Sequence, residues 1–189
     1  AQHVNRRFLP SRDEILEIVK LLLELFYPGY FGRQDLTDEN LGFHVGNLLS
    51  TLREKVERQV ETCLCSAAEC EGRPPHPCGE EARRVAAAFL ARLPAVRDEL
   101  ILDVQAAYDG DPAASSLDEV ILAYPGMLAV TVHRVAHDGV LEAALRAEHS
   151  GDDAARVDSA AHVHVAVHAA AFLPQGLDRP AATPHPVEG

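Results

Sequence analysis

Apolar residues that recur at three- and four-residue spacing, in runs fenced by proline, glycine and capping side chains, constrain this chain more than any other feature. Ile15, Ile18, Val19, Leu22, Leu23 and Phe26 fall on one face of a helix. Pro10-Ser11-Arg12-Asp13-Glu14 precedes them, where the Ser11 hydroxyl can accept from a free backbone N–H and Glu14 can reach back to the Ser11 N–H. Tyr27-Pro28-Gly29 ends the run, because the residue before a proline avoids the α region. A longer run opens at Thr37-Asp38-Glu39-Asn40, with acidic residues at the positive end of the helix dipole. Its stripe is Leu41, Val45, Leu48, Leu49, Leu52, Val56 and Val60. This helix is expected to run into the first cysteines. Cys65 to Pro77 then reads as a loop, since the prolines of Gly72-Arg73-Pro74-Pro75-His76-Pro77 remove backbone donors.

The helical period returns with Val85, Ala86, Phe89, Leu90 and Leu93, turns a corner at Pro94, and continues through Val96, Leu100, Ile101 and Val104 to Tyr108. Asp109-Gly110-Asp111-Pro112 reads as a turn, because glycine tolerates positive φ and aspartate bonds its own backbone. Ser116-Leu117-Asp118-Glu119 is a second capping box before Val120, Ile121 and Leu122. Tyr124-Pro125-Gly126 separates that short helix from another over Met127 to His137. These segments predict an all-α fold, a bundle of about six helices over residues 8–138.

Residues 139–189 differ in character. Half of the ten histidines lie from His149 onward, and Pro174 to Gly189 is rich in proline and glycine, so this part is expected to be an irregular, partly disordered tail. Val157, Val163 and Ala169 are spaced by six, with Ala161, Val167 and Leu173 four after each, too short a run for a stable stack of coils.

The net charge of −12, without a basic stripe, speaks against a nucleic-acid partner, whose phosphates need cations. No run of about 18 apolar residues occurs, and Ala1 to Pro10 has no apolar signal segment. Neither a membrane span nor secretion is therefore expected, and the chain reads as cytoplasmic, with Cys63, Cys65, Cys70 and Cys78 as reduced thiols. Those cysteines and His76 are chemically able to bind zinc, but two Cys-x-x-Cys knuckles are missing, so no metal is expected. His162, His164 and His168 read as surface histidines rather than ligands. His133 and His137, four apart on a helix, lack the glutamate of a zinc-protease motif and read as helix-surface residues. No glycine-rich phosphate loop and no Gly-x-Ser-x-Gly elbow appears.

Several stretches carry a family resemblance. They are Leu9-Pro10-Ser11-Arg12, Phe26-Tyr27-Pro28-Gly29-Tyr30-Phe31, Arg92-Leu93-Pro94, Asp103 through Ala114, Ser116 through Gly126, and His133-Arg134-Val135-Ala136-His137. Together they resemble the serine O-acetyltransferases over residues 8 to 137, roughly 70% of the chain. The resemblance implies a helical domain that assembles into homo-oligomers, followed in the family by a left-handed parallel β-helix. It also implies acetyl transfer from acetyl-CoA, as co-substrate and with no resident cofactor, to the hydroxyl of L-serine, toward cysteine. A histidine oriented by an aspartate would remove the hydroxyl proton as oxygen attacks the thioester.

One functional position carries over: the substrate-contacting aspartate of the family's Asp-Pro pair matches Asp111, followed by Pro112. From the residues alone, Asp111 is more simply a turn-capping side chain. The family's Asp-His-x-Thr-Gly does not occur, so no catalytic residue is assigned. The chain is expected to be a truncated or degenerate relative with little turnover of its own, or alternatively a non-catalytic helical oligomerisation module. The family's sulfhydrylase partner captures a terminal isoleucine, and Pro186-Val187-Glu188-Gly189 does not fit it.

Overall fold

The computed structural model describes residues 11–70 and 78–150, with side chains for 11–65 and 78–137. Five helices follow one another: α1 (Arg12–Phe26), α2 (Asp38–Cys70), α3 (Cys78–Gly110), α4 (Leu117–Ala123) and α5 (Pro125–Ser150). Among the described residues there is no strand, only an isolated bridge between Pro28 and Phe31. α3 is the central element, packed against α2, α4 and α5, while α1 lies on α2. The all-α expectation holds. No helix among the described residues is long and apolar enough to cross a membrane.

The core is built from the stripes that the sequence displays. Ile18, Leu22 and Phe26 of α1 meet Leu52 of α2, then Leu93, Val96, Leu100 and Val104 of α3, with Val120 and Met127 closing the far side. Burying each of the larger side chains stabilises the bundle by roughly 1.5–3 kcal/mol.

Among the described residues the helices number five rather than six because Pro94 lies inside α3 instead of at a corner. It lacks the N–H that would bond the Leu90 carbonyl, at a cost of about 3 kcal/mol in a helix interior. Leu93, Val96 and Leu100 lie on the buried face on either side of Pro94, and keeping that face continuous outweighs the local preference. Three other boundaries also moved. α2 continues through Cys70, since Ser66-Ala67-Ala68-Glu69 holds no breaker before Gly72. α3 runs through Gly110, so Asp109 and Gly110 are helical, and positive φ is found instead at Gly29 (84°) and Gly32 (66°). α5 starts at Pro125, a residue suited to a first helical turn, and extends to Ser150, beyond the expected His137.

Both capping boxes form only in part. The Ser11 hydroxyl accepts from Glu14 N–H at 3.4 Å, but Ser11 N–H donates to the buried Gln59 Oε1 at 2.9 Å. Glu14 is instead drawn to Lys55 Nζ, 2.9 Å away on α2, which also pairs with Glu17. Likewise Ser116 accepts from Glu119 N–H at 3.1 Å, while the Glu119 carboxylate turns to the Ser115 N–H and hydroxyl. For Glu14 the charged Lys55 is a stronger donor than the cap residue's own N–H, and for Glu119 Ser115 offers two donors in place of one.

Two polar links tie α5 to the rest. Tyr27 and Thr131 share a buried hydroxyl bond of 3.0 Å, and Arg134 grips Asp103 with two N–H donors while also reaching Glu99. Residues 139–150 of the expected irregular tail are helical in α5, whereas the rest of that tail, the six-residue spacing from Val157 to Leu173, and His76, His162, His164 and His168 lie outside the described residues.

Candidate substrate-binding turn

α3 ends at Gly110, and the chain reverses over Asp111 to Ala114, where Ala114 N–H donates to the Asp111 carbonyl at 3.0 Å. Pro112 has its φ preset for the second position of such a turn and is exposed. Asp111 Oδ1 accepts from Ala113 N–H at 2.9 Å, the aspartate turn that the residue type alone suggests. Its other oxygen, Oδ2, accepts from the Tyr124 hydroxyl at 2.6 Å. That bond, and the Ala113 N–H after it, hold the Asp111 carboxyl below the usual aspartate range. The same contact pushes the Tyr124 phenol up to about 12.

Asp111 is half-buried, at the rim of the bundle rather than in its core. Each oxygen spends one lone pair on the donors named, and a carboxylate has about four acceptor sites. It therefore keeps capacity for an ammonium or hydroxyl group. Glu119, held low by the Ser115 hydroxyl and N–H, adds a second carboxylate, one that the charge of Asp111 opposes. The turn is thus an anionic rim, anchored to α4 at Ser115, Ser116 and Tyr124. α4 is fixed in its turn to the loop after α1, where the Tyr30 hydroxyl donates to Asp118 at 2.5 Å.

Two of these participants were missed from sequence. The sequence marks Tyr124 only as part of a helix break and Glu119 only as a cap, because nothing local signals that a residue thirteen positions on folds back to Asp111. The adjoining Pro125 was the available clue, since it forces Tyr124 out of the helix.

The other candidates fall elsewhere. His133 and His137 are exposed on α5, their ring centres 6.3 Å apart. Cys63 and Cys65 are half-buried on α2, and Cys78 is buried at the start of α3. Among the described residues no three His, Cys, Asp or Glu side chains gather as a metal site would require.

No family model matches the chain. A plasmid-encoded serine acetyltransferase of Synechococcus elongatus is 35% identical over 132 residues, covering 68% of this chain and 41% of that protein. Serine acetyltransferase isoform 3 of Entamoeba histolytica, solved in complex with cysteine, is 26% identical with a TM-score of 0.51, covering 73% of this chain and 43% of that one. Serine acetyltransferase 1 of the same organism, solved with L-cysteine, shares the fold at 23% identity and a TM-score of 0.53, covering 88% of this chain and 51% of that one. The chain spans between about two fifths and a half of the length of these proteins. In sequence and in fold, its helical region is therefore related to the N-terminal part of the serine acetyltransferases.

Proposed function

We propose that this chain serves acetyl transfer from acetyl-CoA to the hydroxyl of L-serine, a step toward cysteine, as a helical component that contributes Asp111 to the serine subsite. The observation that carries this reading is the Asp111 carboxylate itself. It is kept ionised by Tyr124 and Ala113, half-exposed, and set on a turn with lone pairs to spare. An anion so held suits the α-ammonium of an amino acid. Kinship with serine acetyltransferases, one of them solved with cysteine, supports an amino acid as the occupant.

In the reaction a base takes the serine hydroxyl proton, the oxygen attacks the thioester carbonyl, and the coenzyme leaves as its thiol. This chain binds and orients serine through Asp111 and Pro112 at the turn. The 189 residues hold no Asp-His-x-Thr-Gly, so no base is assigned among them. A companion role in assembly is favoured by Phe43, Leu102 and Leu122, apolar side chains that stand 60–85% exposed and suit burial against further copies. A cytoplasmic setting agrees with the thiols of Cys63, Cys65 and Cys78.

Calorimetric titration of L-serine into the wild type and Asp111→Asn, paired with thiol release from acetyl-CoA, tests this. Binding by the wild type, roughly tenfold weaker in the variant, is expected from loss of one charged contact. Little serine-dependent thiol release is expected from the purified chain. Equal affinity in the two proteins would remove Asp111 from the subsite, and a robust rate would overturn the non-catalytic assignment.

A further inference from the structure

Tyr124 owes its position to Pro125. Proline denies the α region to the residue before it, and Tyr124 accordingly takes φ −87° and ψ 109° between α4 and α5. Its carbonyl still accepts from Met127 N–H at 3.0 Å, which starts α5 directly. Backbone strain plays no part, since this is ordinary extended geometry. The phenol is thereby laid against the turn that ends α3, and its hydroxyl meets Asp111 Oδ2 at 2.6 Å. Asp111 receives a second donor, Ala113 N–H at 2.9 Å, on its other oxygen. Two donors on different oxygens, one from a side chain and one from backbone, fix both the rotamer and the plane of a carboxylate.

The corner bearing Tyr124 is itself held in place. α4 is capped by Ser116, bonded to Tyr30 through Asp118, and seated on α3 through the fully buried Val120. The charged groups facing the phenol are Asp111 and Glu119, both carboxylates. A neutral donor is therefore the one group here that can bond Asp111 without discharging the rim that would meet an ammonium.

We infer that Tyr124 is a positioning residue for the serine subsite: its hydroxyl, aimed by the Tyr124-Pro125 corner, holds the Asp111 carboxylate in the orientation that receives the amino-acid ammonium. This rests on the serine reading given above. The corner between α4 and α5 thereby becomes part of the site, although Tyr124 itself contacts no substrate.

Tyr124→Phe removes the hydroxyl and keeps the ring. The titration of Asp111 is followed by NMR on carboxyl-labelled aspartate, alongside L-serine affinity from about pH 3 to about pH 8. With its folded value depressed, Asp111 keeps its charge above the ordinary aspartate range and loses it as pH falls through the lower value. In Tyr124→Phe the midpoint is expected to rise toward the ordinary range. L-serine affinity falls about threefold at neutral pH, and its acid limb moves to higher pH. Thr51→Val removes a hydroxyl bond to the Asn47 carbonyl on α2 and leaves both readouts at wild-type values.

A folded Tyr124→Phe protein with an unmoved Asp111 midpoint and unaltered serine affinity overturns the inference while leaving the serine reading intact. Absence of L-serine binding by the wild type overturns the serine reading and the positioning role with it, and the wild-type arm alone identifies that failure. If Tyr124→Phe does not fold, Asp111→Asn reports the same bond from its other end. Tyr124 then drops from about 12 toward the ordinary tyrosine range, and an unmoved phenol sinks the inference.

Discussion

Leu100→Ala is expected to lower the stability of the helical bundle by about 3 kcal/mol, within the range of roughly 2–5 kcal/mol for truncating a buried leucine. Leu100 is 1% exposed, on the helix that every neighbour in the bundle except α1 packs against most closely. Removing the isopropyl end of its side chain forfeits the transfer of those carbons out of water and leaves a hole. Val96 and Val104, one turn to either side on the same helix, are already buried and packed, so they cannot close it. Urea unfolding followed by helical circular dichroism reads the loss as a lower midpoint at constant slope. Arg97→Ala, three residues away and exposed, is expected to change stability by no more than about 0.5 kcal/mol. A loss below about 1 kcal/mol for Leu100→Ala, or equal losses for the two, contradicts the packing described for α3.

Gly32→Ala is expected to cost between about 2 and 3 kcal/mol. Part of that is conformational, because φ is +66° and a β-carbon there meets the carbonyl of its own residue. The larger part concerns Glu24. A β-carbon at Gly32 would lie inside the contact distance of the Glu24 carboxylate, which accepts from Arg33 N–H at 2.9 Å. His44 Nε2 lies 3.2 Å from the same Glu24 oxygen, although not aligned as a donor. Glu24 must therefore move, and the charge-assisted bond that folds the loop back on α1 is lost. Gly29 is the internal comparison, since its φ is +84° but nothing lies within 4 Å of the β-carbon. Gly29→Ala is expected to cost only about 1 kcal/mol. Matching losses at the two glycines in thermal or urea unfolding would show that the Glu24 contact contributes nothing.

These two sites also mark how far the sequence could be read. The α1 and α2 stripes were legible because three- and four-residue spacing of Ile18, Leu22, Phe26, Leu48 and Leu52 has no other compact reading. Pro94 misled because local propensity argued for a corner, whereas the buried face of α3 continues on both sides of it. The capping boxes were half right, since Ser11 and Ser116 bond their neighbours locally. Where Glu14 and Glu119 end up depends on Lys55 and Ser115, whose positions follow from tertiary packing and turn geometry. Asp111 was found through family resemblance and its turn through residue type, but its partner Tyr124 belongs to a contact between elements that no local pattern encodes. Gly32 escaped for the same reason: its importance lies in Glu24, one helix away.

In the proposed function Asp111, fixed at the rim where α3 ends, receives the ammonium of an amino-acid substrate. Crystals of the chain equilibrated with L-serine test it most directly. Density for serine with its nitrogen about 3 Å from an Asp111 carboxylate oxygen is the expected result. An empty turn at saturating serine, or serine bound with Asp111 facing away from it, contradicts the claim.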